Sequence, residues 1–231
     1  MSFDIAIDMA VDNHAFALEF TSDAKLTALV GPSGVGKSST LNAIAGLLRP
    51  RAGRIVVAGE VLFDSRAGVD LPPEKRRAGY VFQDARLFPH KRVAANLAYG
   101  QKLAAPGAPI VTRDEVVDLL EIGHLRERMP ATLSGGEVRR VAIGRALLCA
   151  PRFLLLDEPL ASLDESRAET LLKLIERLRD ELDLPILLVS HSSAEVERLA
   201  DRVITMTAPA LSEGTAQGSP DSLPARAGAC Q

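Results

Sequence analysis

Residues 26–48 read LTALVGPSGVGKSSTLNAIAGLL. Leu26–Val30 is a short apolar run of the kind that forms a buried strand, and Lys37–Leu48 has helical spacing that Pro50 and Gly53 should end. Between them Gly31, Pro32, Ser33, Gly34, Val35, Gly36, Lys37 and Ser38 fit the spacing G-x-x-x-x-G-K-[ST]. Glycines let the backbone curl until successive N–H groups and the following helix N-terminus surround a phosphate. Lys37 is then placed to reach the outer phosphates of a nucleotide. Ser38, with Ser39 beside it, offers a hydroxyl to a Mg²⁺ bridging those phosphates, a hard cation that prefers oxygen. A bare glycine turn would give the same letters, but it would not need a strand before it and a helix after it.

Working outward, Phe3–Ala10 and Ala15–Thr21 alternate apolar with polar residues, which predicts two antiparallel strands with one wet face joined through Asp12 and Asn13. Arg54–Asp64 reads as a further hairpin and Ala78–Phe82 as a short strand ending at Gln83. From about residue 84 to 149 the texture turns helical, over Val93–Tyr99, Thr112–Glu121 and Glu137–Leu148, with a loose AAPGAP linker between the first two. This stretch reads as a helical insertion. Phe153–Leu156 and Ile186–Val189 are near-continuous apolar runs flanking an amphipathic helix, Ser166–Leu182, and such runs mark parallel strands buried on both faces. From about residue 208 the chain is rich in Gly, Pro, Ser and Ala, too poor in apolar surface to offset the entropy of ordering it, so a mobile tail is expected over 209–231.

Four other short segments carry chemistry. FLLLDEP, Phe153–Pro159, delivers Asp157 and Glu158 at the C-terminal edge of a strand, where open α/β sheets bind ligands. Asp157 suits the metal side, and Glu158 suits orienting or deprotonating the water of an in-line phosphoryl transfer. LSGGE, Leu133–Glu137, places the Ser134 hydroxyl and the Gly135 and Gly136 amides at the positive end of a helix, a second phosphate site; alone, the same letters suit an ordinary cap. One chain cannot easily wrap both sites around one nucleotide, which suggests that a second copy completes the pocket. His191, in VSHS after the strand at Ile186–Val189, and Gln83, after GYVF, are a histidine and a neutral amide at strand ends, each suited to a γ phosphate, its metal or its water.

Composition excludes several alternatives. With 27 Lys and Arg against 30 Asp and Glu the net charge is -3, so no basic face for sequence-blind nucleic-acid binding is expected. The 231 residues, 47% hydrophobic, suit one α/β domain with a substantial core. The two cysteines, Cys149 and Cys230, have no metal or redox spacing and read as ordinary thiols of a reducing compartment. The acidic, alternating N-terminus is unlike a signal peptide, and no apolar run approaches the roughly 20 residues that span a bilayer.

GPSGVGKS, GYVFQ, LSGGE, FLLLDEP, SLD and VSHS, in this order, resemble the ATP-binding subunit of ABC transporters, and the likeness runs from about Phe3 to Thr207. It implies a P-loop NTPase, RecA-like α/β core with an N-terminal antiparallel β subdomain and an inserted helical subdomain, within an ATP-binding domain at 1–208. On this resemblance Gly31–Ser38 correspond to Walker A, Gln83 to the Q-loop, and Ser134, Gly135 and Gly136 to the signature. Asp157 and Glu158 correspond to Walker B and its catalytic glutamate, Leu163 and Asp164 to the D-loop, and His191 to the switch histidine. ATP and Mg²⁺ are the implied cofactors, with Ser38, Gln83 and Asp157 on the metal. The implied partners are a second copy in a head-to-tail ATP sandwich, two membrane-spanning permease subunits, and indirectly a periplasmic solute-binding protein. The implied location is the cytoplasmic face of a bacterial inner membrane.

The run GYVFQDARLFPH, then NLAYG, VAIGRALL and DEPLASLD, looks most like the ATPase of molybdate importers. Sulfate, ferric iron and polyamine importers, or a soluble ATPase of the same type, are the alternatives. The molybdate group usually carries an oxyanion-binding β module after the ATPase domain, and a member without it is expected here. An aromatic residue against adenine is also implied, with Phe16, His14 and other residues left open.

Overall fold

A computed structural model describes residues 2–11, 14–104 and 112–207. In chain order the elements are β1 (Phe3–Val11), β2 (His14–Ser22), β3 (Leu26–Val30), α1 (Lys37–Ala45), β4 (Ala52–Val57), β5 (Glu60–Asp64), β6 (Val69–Asp70), α2 (Pro73–Arg76) and β7 (Ala78–Val81). They continue with α3 (Val93–Leu103), α4 (Arg113–Leu119), α5 (Gly135–Leu147), β8 (Phe153–Asp157), α6 (Glu165–Glu181), β9 (Ile186–Val189), α7 (Ser193–Leu199) and β10 (Arg202–Thr205).

The strands form two five-stranded sheets. One is antiparallel, in the order β2-β1-β4-β5-β6, and pairs Ile5 with Phe20 and with Ile55. The other is parallel, in the order β10-β3-β9-β8-β7. Every residue of β8 and of β9 is buried, as runs without alternation predict. Alternate side chains serve two cores. Leu154, Leu156, Ile186 and Leu188 pack with the helices α3 to α6, while Phe153, Leu155, Leu187 and Val189 face α1 and the inner side of the antiparallel sheet. The C-terminal ends of β3, β9 and β8 therefore emerge side by side, with Leu29 and Asp157 both in register with Val189.

Several boundaries differ from the sequence expectations. Helix α1 ends at Ala45, short of Leu48, because Gly46 takes a left-handed conformation (φ 81°) and turns the N–H groups of Leu47 and Leu48 back onto the Asn42 carbonyl. The strand expected to end at Gln83 stops at Val81. Helix α5 starts at Gly135, not Glu137, capped by Ser134. Helix α3 runs on to Leu103, and α4 begins at Arg113 with Thr112 as its cap. Elements β6, α2, α7 and β10 were not expected. The Asp12–Asn13 turn, most of the AAPGAP linker and the tail expected from residue 208 lie outside the described residues.

One buried cation holds α1 in place. Arg76 is 1% exposed and donates to the Leu71, Ala43 and Ile44 carbonyls and to Asp70 Oδ1 at 3.0 Å. A guanidinium at the negative end of α1 adds donors to carbonyls of its last turn, of which Ala43 also accepts from the Gly46 amide at 3.2 Å. The helix that follows the glycine loop is thus fixed at the end farthest from it.

Candidate functional site

The loop at Gly31–Ser38 joins the C-terminal end of β3 to α1, and Lys37 is its first helical residue. Gly36 has φ 109°, and a Cβ there would lie 2.5 Å from Phe16 Cε1, so both conformation and space require glycine. Lys37 is 7% exposed; its Nζ lies across the loop, donating to the Gly31 carbonyl at 2.8 Å and the Pro32 carbonyl at 2.9 Å. Among the candidates for adenine stacking, Phe16 is only 8% exposed, its ring edge against Gly36, which leaves little of it for a base. The side chain of His14 lies outside the described residues.

Two side-chain pairs stand at the sheet edge beside this loop. Ser38 Oγ donates to Asp157 Oδ1 at 3.1 Å, and His191 Nδ1 lies 3.1 Å from Glu158 Oε2. Glu158 departs from β8 in the left-handed region, φ 47°. Burial pushes the Asp157 carboxyl above its ordinary range and the Glu158 charge adds to this; the Ser38 hydroxyl and the Lys37 charge oppose it. The folded chain therefore holds a proton at Asp157 more tightly than the unfolded chain. Stability falls as pH rises from below the ordinary carboxylate range to above the raised value, and stays lowered at neutral pH. Asp157→Asn, which keeps an acceptor for Ser38, should accordingly raise the melting temperature of the nucleotide-free chain at neutral pH in chelator. Calorimetry across acidic pH should show this gain shrinking; a gain that persists undiminished would mean burial of charge is not its cause.

Gln83 is exposed and lines a cleft of about 520 Å³ together with Ser38, Asp157 and three residues that the sequence did not mark, Asn42, Tyr80 and Arg139. Tyr80 Oη donates to Asn42 Oδ1 at 3.1 Å, and burial, then the Asp157 charge, hold its hydroxyl protonated well above the ordinary phenol range. Asn42 lies one turn after Ser38 on α1, a spacing that places it on the same side of the helix. A larger hollow, about 690 Å³, lies against Asp8, Glu19 and Arg54 of the antiparallel sheet and shares no residue with the loop. Of the sheet-edge groups Ser38 and Asp157 line the smaller cleft, with Gln83, and mark it as the chemical one; Lys37, Glu158 and His191 are not among its lining residues.

Ser134 caps α5 in a reciprocal pair with Glu137: the Glu137 amide donates to Ser134 Oγ at 3.4 Å, and the Ser134 amide donates to Glu137 Oε2 at 2.6 Å. Asp164 caps α6, accepting from the Arg167 amide at 3.0 Å. Among the described residues no hydrogen bond joins Ser134, Gly135 or Gly136 to Gly31–Ser39. The sheet edge thus unites Lys37, Ser38, Asp157, Glu158, His191 and Gln83, and the Ser134 segment stands apart from them. Among the described residues no cluster of three or more His, Cys, Asp or Glu side chains forms a metal cage. The close oxygens of Ser38 and Asp157 fit a hard cation that takes its remaining ligands from phosphates and water.

A glycine loop between a buried parallel strand and a helix, facing an acidic strand end across the sheet edge, is the architecture of a P-loop nucleotide-binding domain. The chain matches the family model "ABC transporter" over residues 17–161, and it belongs to that family, as its ATP-binding domain. It is 56% identical over 194 residues to the molybdenum import ATP-binding protein ModC of Rhizobium johnstonii, covering 83% of this chain and 55% of that protein. To the ModC of Brucella abortus it is 56% identical over 198 residues, 85% of this chain and 55% of the relative. The chain therefore spans about half the length of the curated relatives it matches. Among solved structures, CbiO1 of Clostridium perfringens, part of the ABC transporter complex cbiONQ, superposes with a TM-score of 0.72 at 28% identity, covering 89% of this chain and 84% of that one. The fold is also that of the dimeric bacterial ABC transporter cassette MJ0796, with a TM-score of 0.71 at 24% identity over 88% of this chain and 94% of that one.

Proposed function

We propose that this chain is the ATP-hydrolysing subunit of a bacterial importer for molybdate or a related oxyanion, acting as a head-to-tail dimer on two membrane-spanning permease subunits. The observation that carries the reading is the pairing of Ser38 with Asp157 and of Glu158 with His191 beside the glycine loop. The relatives named for molybdenum import favour the solute.

In this reading residues 1–208 form the ATP-binding domain, with 84–149 as its helical subdomain. The amides of Gly31–Ser39 and the Lys37 ammonium hold the triphosphate, Lys37 exchanging the Gly31 and Pro32 carbonyls for phosphate oxygens. Ser38, Asp157 and Gln83 would hold Mg²⁺, which would neutralise negative charge on the phosphates. Glu158 accepts a proton from, or orients, the attacking water, and His191 fixes the carboxylate and reaches the γ phosphate. Ser134, Gly135 and Gly136 of a second copy cover that phosphate, with Asp164 at the same dimer face. Among the described residues no helix is long and apolar enough to cross a membrane, in keeping with a subunit held through its permease partners at the cytoplasmic face.

Reconstitution with a molybdate-type permease pair and its solute-binding protein tests this. ATP hydrolysis should rise several-fold with molybdate or tungstate and much less with sulfate. Stimulation by sulfate, ferric iron or a polyamine alone would assign another solute, and an assembled complex without ATP hydrolysis would overturn the reading.

A further inference from the structure

Arg139 lies on α5 just past the turn that Ser134 caps, in a run, EVRR, that looks like a solvated helix face. It is instead half-buried and reaches across to the segment after β8. Its Nε donates to the Pro159 carbonyl at 3.0 Å and its Nη2 to the Ala161 carbonyl at 3.4 Å. That segment is bounded by two non-glycine residues in the left-handed region, Glu158 (φ 47°) and Ser162 (φ 63°). Such conformations are unfavourable and persist only where the surroundings hold them. Here the holding contacts are the Glu158 amide on the Val189 carbonyl, the Ala161 amide on the Glu158 carbonyl, and the Arg139 fork on the two carbonyls between the strained positions. The guanidinium stays charged; burial pushes its pKa down and the Asp84 carboxylate, next to Gln83, opposes this.

We propose that Arg139 is a positioning residue that holds residues 158–162 in their strained course and aims the Glu158 carboxylate at His191, so tying the hydrolytic group to the helix whose N-terminus carries Ser134. This rests on the reading of Glu158 as the group that acts on water. It has a consequence for the dimer. A phosphate of the partner's nucleotide seated at the N-terminus of α5 and the readiness of this chain's own Glu158 are linked through one guanidinium, which gives the two ATP sites a rigid connection.

The test is a double-mutant cycle on the intact chain, with Arg139→Gln and Arg139→Lys made alone and in the Glu158→Gln background, read by steady-state hydrolysis and by single turnovers of labelled ATP. Arg139→Gln should lower kcat by about 10- to 100-fold, the scale of a misplaced catalytic group, with KM for ATP little changed. Arg139→Lys should recover part of the loss, since an ammonium can serve one carbonyl but lacks the fork that serves both. In the Glu158→Gln background neither change should slow hydrolysis further, because the group they position is already gone. Wild-type kcat in Arg139→Gln, or a loss that multiplies with that of Glu158→Gln, would overturn the proposal while leaving the role of Glu158 intact. Wild-type hydrolysis in Glu158→Gln alone would overturn both. Should Arg139→Gln fail to fold, the same cycle with Arg139→Lys decides.

Discussion

Glu158→Gln should lower ATP turnover by about 10²- to 10⁴-fold, the usual contribution of a general base, while ATP still binds. The amide matches the carboxylate in size, so the left-handed turn at φ 47° and the contact with His191 Nδ1 can both persist. Only the capacity to take a proton from water is lost. Binding should not weaken, for an electrostatic reason. Burial chiefly raises the Asp157 pKa and the Glu158 charge adds to it, so removing that charge eases ionisation of the carboxylate that faces Ser38 and any cation there. With binding kept and hydrolysis blocked, the variant should accumulate as an ATP-bound dimer. Size exclusion with ATP and Mg²⁺ should show it, and a chelator should reverse it. Hydrolysis at the wild-type rate would remove Glu158 from the mechanism.

The parts of this site that could be read in the sequence are those whose physics is local. A glycine loop needs certain residues at certain spacings, and a strand buried on both faces needs an unbroken apolar run, so Gly31–Ser38 and β8 were visible directly. What was missed depends on contacts between distant segments. Arg76 sits in PPEKRR, which reads as a charged surface turn, and only its approach to the end of α1 makes it a buried cap. Arg139 is disguised in the same way, because its partners lie about twenty positions on and meet it only when α5 packs beside the segment after β8. Edge strand β10 escaped because its outward residues are polar or half-exposed, Val203 being 48% exposed, so it lacks the apolar run of a central strand. Helix α7 has a legible start in Ser192 and Glu195, which have the spacing of a capping pair, the Glu195 amide donating to Ser192 Oγ at 3.4 Å. Gly46 ends α1 ahead of Pro50 and Gly53, because its left-handed conformation closes the helix before those breakers are reached.

The arrangement of two chains around one nucleotide is the step of the function that a single chain expresses least, and Ser134 tests it. Ser134→Arg places a long cation where a phosphate should sit. The fold should survive, since losing a serine cap costs about 1 kcal/mol and a cation at the helix N-terminus about 0.3–1 kcal/mol more. The glycine loop, to which Ser134 makes no hydrogen bond within the chain, is untouched. Homodimers of Ser134→Arg should therefore bind ATP and fail to hydrolyse it, and homodimers of Lys37→Ala should fail because the triphosphate loses the cation now lying across Gly31 and Pro32. Mixing the two separates a trans site from a cis site. In trans, each mixed dimer keeps one complete site, built from the loop of the Ser134→Arg chain and the Ser134 segment of the Lys37→Ala chain. An equal mixture should then recover about a quarter of the wild-type rate if the sites turn over independently, half of the dimers being mixed and each holding one of two sites. In cis, every site contains one of the two lesions and nothing is recovered. Obligatory coupling between sites would also suppress turnover, so the same mixture is prepared with Glu158→Gln in both chains and scored for dimers held together by ATP. Dimers in the mixture but in neither parent establish the trans site without any turnover. Their absence, with both chains folded, would return Ser134 to the role of an ordinary helix cap.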